Sequence, residues 1–163
     1  MRKAFVFDFD DTLAVTPCRV HVIDSNNWGA CVRSLTPAEF NIYKLQDGEY
    51  FDFSEFRDGS YIHKADPTFL IHLAKEVYDE GHKVFILTAR GLDVIDSIWV
   101  WMKSHGIEVD TVHAVGGTGR EIAERKKRIL LDIVSNFDKV YFYDDSEENV
   151  NIFQHEKLRA YKV

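Results

Sequence analysis

Three short stretches of the sequence are almost continuously hydrophobic, and they predict strands of one parallel sheet. They are KAFVFDF from Lys3, KVFILT from Lys83 and KVYFYDD from Lys139. A strand that is buried on both faces loses the alternation of polar and apolar residues, which is typical of a parallel sheet covered by helices. Each stretch ends in polar side chains, and we expect these ends to meet at the carboxyl edge of the sheet, where ligands bind.

Helical periodicity lies between the predicted strands. The first helix is predicted to have Asp66 as its N-cap and Pro67 at its first position, and to end just before Gly81, with Phe69 on its apolar face. Two further helices are predicted, over LDVIDSIWVWMKSHG and over about residues 120 to 134. Strands that alternate with helices indicate right-handed βαβ units. The predicted fold class is therefore α/β, a three-layer Rossmann-like parallel sheet flanked by helices.

Residues 15–65 interrupt this alternation and predict a small cap or flap, inserted after the first strand and folded over the strand ends. Thr36 and Glu39 form a capping box that opens a short helix to about Leu45. An aromatic, acidic stretch follows, and we interpret its aromatic residues as a small core of the insert rather than a platform for stacking bases. These residues are Tyr50, Phe51, Phe53, Phe56 and Tyr61. The 163 residues together are predicted to form a single domain, 1–163.

Composition and charge argue against several classes of function and of site. A net charge of −7 argues against broad contact with duplex nucleic acid, and the basic run Arg125–Arg128 is interpreted as a solvated helix face. Cys18 and Cys31 lack the CxxC spacing and predict neither a disulfide framework nor a zinc site. No stretch approaches the roughly 18 apolar residues that span a bilayer, so we expect a cytoplasmic protein.

Carboxylates crowd the end of the first predicted strand, where Asp8, Asp10 and Asp11 lie within four positions. Two carboxylates about 4 Å apart repel by roughly 4 kcal/mol at an effective dielectric constant near 20. A magnesium ion would offset this repulsion, because it prefers hard oxygen ligands and keeps positions for water and phosphate. Alternate residues of a strand share a face, so Asp8 and Asp10 are expected to point the same way, one attacking and the other handling protons. An acidic turn without function is the alternative.

The chain carries a set of motifs that resembles the haloacid dehalogenase (HAD) superfamily of phosphohydrolases. In chain order they are DFDDT (Asp8, Asp10, Thr12), ILTAR (Thr88), a basic residue on a helix, and YFYDDS (Asp144, Asp145). The resemblance implies a Rossmann-like fold, Mg²⁺ as cofactor and hydrolysis of phosphate monoesters. It covers the sheet and the helices, and the insert only as a permitted position for a cap.

The resemblance also implies a role for each motif residue. Asp8 is expected to attack phosphorus and form an aspartyl-phosphate, and Asp10 to protonate the leaving oxygen and then activate water. Magnesium is expected to bind to Asp8, to the backbone carbonyl of Asp10 and to Asp144. Asp145 would bind the ion directly or support its ligands. The hydroxyl of Thr88 is expected to hydrogen-bond the transferring phosphoryl group.

The lysine of the third motif has two candidates. Counting along the helical pattern places Lys126 on the face of the neighbouring isoleucines, so Lys126 is predicted to point inward and Lys127 is the runner-up. Asp11 stands where many members carry glycine, and no role is assigned to it. Asn149 either orients the acidic pair or caps the last helix.

Arg90 and Thr12 are the candidate substrate-binding residues. Arg90 could bind a phosphate through two parallel hydrogen bonds. A salt bridge to a nearby acid is the alternative. A hydroxyl followed two residues later by arginine, together with the paired acids of the last motif, is similar to the phosphatase half of phage polynucleotide kinase/phosphatases. This likeness implies a phosphomonoesterase acting on a nucleotide or a polynucleotide 3'-phosphate end. A small-metabolite phosphatase and a catalytically silent phosphate-binding module are the alternatives.

Overall fold

The computed structural model describes every residue from Met1 to Val163. In chain order the elements are β1 (Lys3–Phe7), β2 (Ala14–Val15), β3 (Val20–Asp24), β4 (Ala30–Leu35), α1 (Pro37–Ile42), β5 (Glu49–Asp52), β6 (Asp66–Pro67), α2 (Ile71–Asp79), β7 (Lys83–Thr88), α3 (Ile95–Ser104), β8 (Thr111–Ala114), α4 (Arg120–Asn136), β9 (Lys139–Asp144), α5 (Glu147–Asn151) and β10 (Leu158–Lys162). Short 3-10 helices cover Ser25–Asn27, Ser54–Arg57, Gly59–Lys64 and Leu92–Val94. None of the helices has the length and hydrophobicity needed to cross a membrane.

A five-stranded parallel sheet in the order β10-β9-β1-β7-β8 forms the centre of the molecule. β1 lies in the middle, between β7 and β9. The strand predicted from Lys83 to Thr88 is confirmed to the residue, and the strands that start at Lys3 and Lys139 end at Phe7 and Asp144. The fold class is α/β, a Rossmann-like sheet flanked by helices, as predicted.

Side chains of the sheet alternate between two apolar layers. Phe7 and Ile86 belong to the layer that includes the buried side chains of α2 and α3. Val6 and Phe142 belong to the opposite layer, which includes those of α4. The period of two along each strand therefore decides which helix a side chain meets. Burial of this apolar surface, at about 25 cal/mol per Å², is the main term that stabilises the three layers.

Residues 20–52 of the insert form a three-stranded antiparallel sheet in the order β4-β3-β5. Its small core consists of the buried Val20, Val22 and Leu35 and of partly buried aromatic residues, namely Phe40, Tyr43, Phe51, Phe53 and Phe56. Three of the five aromatic residues expected to form this core are therefore in it. Tyr50 is 51% exposed instead, and Tyr61 lies outside the cluster.

The capping box that was predicted for the insert is present at the start of α1. The Thr36 hydroxyl accepts a hydrogen bond from the Glu39 N–H at 3.3 Å, and the Glu39 carboxylate accepts one from the Thr36 N–H at 2.9 Å. The helix ends at Ile42, earlier than predicted. Tyr43 takes an extended backbone conformation there, and its hydroxyl donates a hydrogen bond to Glu49 at 2.7 Å. This contact fixes the chain that leaves α1 against β5.

Helix α2 begins later than predicted, at Ile71. Asp66 and Pro67, expected as its N-cap and first residue, instead form β6 and pair with β2 in a short antiparallel ribbon. Proline is tolerated in such a two-stranded ribbon, because a strand of this kind has a free edge. Phe69, expected on the apolar face of the helix, precedes the helix and is 88% exposed.

Candidate active site

Asp8 directly follows β1 and Asp144 is the last residue of the adjacent β9, and the register of the two strands places the acids side by side. Phe7 of β1 is level with Tyr143 of β9, so the next residue along each strand is one of the two acids. Each acid also comes two residues after a side chain that packs in the α4 layer. Because alternate residues of a strand share a face, both carboxylates project toward α4.

Lys126 of α4 joins the two carboxylates. Its ammonium group donates hydrogen bonds to Asp8 Oδ1 at 2.8 Å and to Asp144 Oδ2 at 2.7 Å. Burial alone would lower the pKa of Lys126, but the charges of Asp8 and Asp144 outweigh it and raise that pKa. Lys126 is 1% exposed, as its predicted inward direction requires, whereas Lys127 is partly exposed.

Further hydrogen bonds orient both carboxylates. The Thr12 hydroxyl donates to Asp8 Oδ2 at 3.1 Å. The Ser146 N–H donates to Asp144 Oδ1 at 2.8 Å, and the Asn149 amide donates to Asp144 Oδ2 at 3.0 Å. Of the two alternatives for Asn149, its side chain therefore contacts the acid. The last helix, α5, is capped by the Ser146 hydroxyl, which accepts from the Asn149 N–H at 3.3 Å.

Asp8, Asp144 and Asp145 could together hold a metal ion, because one oxygen of each lies within 4.8 Å of the others. Burial raises the pKa of Asp8 well above its ordinary value in spite of Lys126, and the charge of Asp144 adds to the shift. Burial and Asp144 likewise raise the pKa of Asp145. One ammonium among three carboxylates leaves an excess of negative charge, and every donor is a hard oxygen. This donor set fits magnesium.

A tight turn after β1 carries the other two acids of the first motif. The Phe9 carbonyl accepts hydrogen bonds from the N–H groups of Leu13 and Ala14, both at 3.0 Å. Asp11 has a φ of 59°, the left-handed region that glycine and short polar residues tolerate. This conformation explains why a motif that often carries glycine here accepts aspartate. The Asp11 residue is exposed, outside the set of acids that could hold the ion.

Asp10 pairs with Arg90 and is not part of the acidic cluster. Arg90 Nε donates to Asp10 Oδ2 at 2.8 Å and Nη2 donates to Oδ1 at 2.7 Å, which makes a bidentate salt bridge. Burial alone lowers the pKa of Arg90, but the hydrogen bonds and charge of Asp10 outweigh it and raise that pKa. The salt bridge that was the alternative for Arg90 is therefore what the structure contains.

Thr88 ends β7 and is completely buried. Its hydroxyl oxygen accepts a hydrogen bond from the Arg90 N–H at 3.2 Å, which leaves the hydroxyl proton available for another acceptor. The Thr88 carbonyl accepts from the Val115 N–H at 3.0 Å, and the Arg90 carbonyl accepts from the Gly116 N–H at 3.1 Å. These bonds hold the loop that carries Arg90 against the end of the sheet.

Some residues of this site were missed by sequence reasoning. Ser146 had a usable signal, since a serine followed by two acidic residues is a typical helix N-cap. Thr16, Cys18 and Phe56 surround the Arg90 guanidinium, but no local pattern links these positions to residue 90.

No protein-family model matches the chain, and no curated protein matches it. Two solved structures of the Pnkp1/Rnl/Hen1 RNA repair complex contain chains that resemble the protein over its full length, with 16% and 15% identity and TM-scores of 0.63 and 0.61. The likeness is one of fold. The protein spans 42% and 45% of the length of those two chains.

A mutant of a HAD family enzyme from Bacteroides thetaiotaomicron, in complex with magnesium and inorganic phosphate, is a more distant neighbour. It is 14% identical with a TM-score of 0.48, over 99% of this chain and 94% of the neighbour.

Proposed function

We propose that the protein is a magnesium-dependent phosphomonoesterase that works through an aspartyl-phosphate on Asp8. The observation that supports this most directly is the pair Asp8 and Asp144, level on adjacent strands and bridged by Lys126. Burying charged groups costs several kcal/mol for each ion, and well-packed apolar residues often stabilise a core at least as well. A purely structural role therefore does not explain why this cluster is present, whereas binding of a metal ion and a phosphate explains it.

In the proposed first step the Asp8 carboxylate attacks phosphorus, so that an O–P bond forms while the bond to the leaving oxygen breaks. Burial works against the ionised form of Asp8, and Lys126 partly offsets this effect by donating directly to it. The Thr88 hydroxyl donates a hydrogen bond to an oxygen of the phosphoryl group. Asp8, the Asp10 carbonyl, Asp144 and Asp145 would hold magnesium, which when bound would supply positive charge for the phosphoryl oxygens.

Asp10 acts as the general acid in the first step and as the general base in the second. It gives a proton to the leaving oxygen in the first step, and it accepts a proton from the water that hydrolyses the aspartyl-phosphate in the second. Its carboxylate is suited to this task because its side chain is 28% exposed beside the buried Asp8. The proton donated in the first step is thus regained in the second.

We further propose that the substrate is a nucleotide or a polynucleotide 3'-phosphate end. The spacing of Thr88 and Arg90 and the paired Asp144 and Asp145 support this, through their similarity to the phosphatase half of phage polynucleotide kinase/phosphatases. The likeness in fold to chains of an RNA repair complex is compatible with it. A net charge of −7 favours contact with a terminal nucleotide over contact along a strand.

A phosphatase panel tests this proposal. It compares 3'-phosphorylated DNA and RNA oligonucleotides, mononucleotides and sugar phosphates, with magnesium or with excess chelator, and Asp8→Asn serves as the inactive control. We expect the highest kcat/KM with 3'-phosphorylated ends, loss of turnover in chelator and recovery when magnesium is restored. Preference for sugar phosphates would indicate a metabolite phosphatase, and no turnover at all would indicate a phosphate-binding module. Turnover that the chelator leaves unchanged would contradict the magnesium requirement.

A further inference from the structure

We propose that Arg90 is a positioning residue, which holds the acid–base Asp10 in place and makes its position depend on the insert. This inference rests on the proposed function. It differs from the role expected from the sequence, in which Arg90 grips the substrate phosphate directly.

Each of the three nitrogens of the Arg90 guanidinium already donates a hydrogen bond to a protein group. Nε and Nη2 bind Asp10, Nη1 donates to the Phe56 carbonyl at 3.1 Å, and Nη2 also donates to Thr16 Oγ1 at 3.1 Å and approaches Cys18 Sγ at 3.5 Å. The Phe56 ring lies against the guanidinium, with 4.9 Å from Cζ to the ring centre. The Arg90 side chain is 2% exposed, which leaves a substrate phosphate little access to the guanidinium.

Arg90 also fixes both oxygens of Asp10 relative to the sheet. The backbone of Arg90 is anchored to the sheet edge through its bonds with Thr88 and Gly116. The Thr16 hydroxyl lies 3.4 Å from Asp10 Oδ1 and adds a weaker contact. Proton transfer requires the carboxylate to lie within hydrogen-bond reach of the leaving oxygen. A loss of Arg90 is therefore expected to reduce the efficiency of Asp10 rather than the binding of phosphate.

The remaining partners of the guanidinium belong to the insert. Thr16 and Cys18 lie at its start and Phe56 in the 3-10 helix Ser54–Arg57, and the Glu55 carbonyl accepts a hydrogen bond from Cys18 Sγ at 3.5 Å. The contacts of these insert residues with Arg90 therefore help to fix the position of the guanidinium, and the guanidinium in turn fixes the position of Asp10. Phe56 contacts Arg90 directly and reaches Asp10 only through it, which makes Phe56 the position at which this dependence can be tested.

The test uses the dependence of kcat/KM on the leaving group. A p-nitrophenyl leaving group needs little protonation, whereas an alkyl alcohol needs a proton from Asp10. For Arg90→Lys we expect kcat/KM to fall about 100-fold with an alkyl phosphate and about 10-fold or less with p-nitrophenyl phosphate. The inhibition constant of inorganic phosphate should stay within about twofold of wild type, because the phosphate does not contact Arg90. Melting temperatures of all variants establish that they are folded.

Phe56→Ala should give the same pattern at a smaller size, about 3- to 10-fold with the alkyl phosphate. Phe53→Ala is the matched control, because Phe53 belongs to the same aromatic cluster but makes neither a hydrogen bond nor a cation–π contact with the Arg90 side chain. It should leave the ratio of the two substrates unchanged. If Arg90→Lys does not fold, the comparison of Phe56→Ala with Phe53→Ala decides the question.

A double-mutant cycle gives the second readout. If Arg90 acts through Asp10, adding Arg90→Lys to Asp10→Asn should cause no further loss of kcat/KM. An equal loss with both substrates, together with a weaker inhibition by phosphate, would show that Arg90 grips the phosphate and would overturn the inference. Additive losses in the cycle would overturn it as well. Absence of wild-type turnover with either substrate would instead overturn the proposed function, and this inference with it.

Discussion

Two ion-pair clusters lie next to each other at the carboxyl edge of the sheet, and they are built from different parts of the chain. Lys126, Asp8 and Asp144 come from α4 and from the ends of β1 and β9, and all three are almost fully buried. Arg90 and Asp10 form the second cluster, whose other partners come from the insert. The packing of the main core therefore sets the first cluster, whereas the second depends on a region with a core of its own.

This difference corresponds to two tasks in the proposed reaction. Asp8 must lie at a fixed position relative to the metal ion, and that part of the chemistry is the same for every phosphate monoester. Asp10 must reach an oxygen of the leaving group, which changes from one substrate to another. The main core fixes the proposed nucleophile, whereas the position of the proposed acid–base residue depends on the insert. This division would allow substrate preference to change without loss of the attacking group.

The largest expected effect is that of Asp8→Asn, which removes the attacking carboxylate from the rigid cluster. We expect kcat with p-nitrophenyl phosphate to fall by at least about 1,000-fold while circular dichroism shows an intact fold. Asp11→Asn is the matched control, because Asp11 is an exposed acid of the same motif and asparagine also tolerates its left-handed backbone. An Asp8→Asn enzyme with more than about a tenth of the wild-type kcat would exclude Asp8 as the nucleophile.

The second effect is that of Lys126→Met, with Lys127→Met on the same helix as its control. Removal of the ammonium leaves two buried carboxylates uncompensated, so we expect a loss of about 3–5 kcal/mol in the free energy of unfolding and about 100-fold in kcat. Magnesium should restore part of the lost stability, because the ion replaces the missing positive charge. Lys127→Met should change stability by no more than about 0.5 kcal/mol. Denaturant titration and steady-state kinetics measure both, and the reverse ranking would contradict the assignment of Lys126.

The smallest expected effect lies within the insert, at the cap of α1. Thr36→Ala removes the hydroxyl that accepts from the Glu39 N–H, which typically costs about 1 kcal/mol. Amide hydrogen exchange should therefore become faster over Pro37–Ile42, while kcat with p-nitrophenyl phosphate stays at the wild-type value. Ser34→Ala, two residues earlier in β4 and without a capping role, should leave the exchange of α1 unchanged. A large fall in kcat for Thr36→Ala would mean that the small sheet, and not only the Phe56 segment, is coupled to the chemistry.

The central strands and the direction of Lys126 could be predicted because their signals are local. Burial on both faces leaves a continuous hydrophobic run, and helical periodicity places Lys126 on the buried side of α4. The start of α2 could not be predicted in the same way. Asp66 and Pro67 carry real helix-start signals, but a tertiary pairing with β2 overrides them.

The partner of Arg90 in the site likewise could not be predicted from local sequence signals. Arg90 and Asp10 are 80 residues apart, so the sequence could suggest either a phosphate or an acid as the partner but could not choose between them. The antiparallel sheet of the insert had a usable signal, because Val20 and Val22 alternate with polar residues and are both buried. Strands this short are ambiguous until their partners are known, and here the partners are β4 and β5.

The position of β1 in the sheet has a consequence for how the polypeptide is made. β1 is synthesised before every other strand of the sheet, yet its two neighbours are β7 and β9, far along the chain. During translation it therefore stays unpaired, with a hydrophobic stretch that is open to aggregation or to capture by chaperones. Closing such long loops also slows folding. Asp8 therefore leaves the ribosome well before Asp144, the acid that lies beside it in the folded sheet.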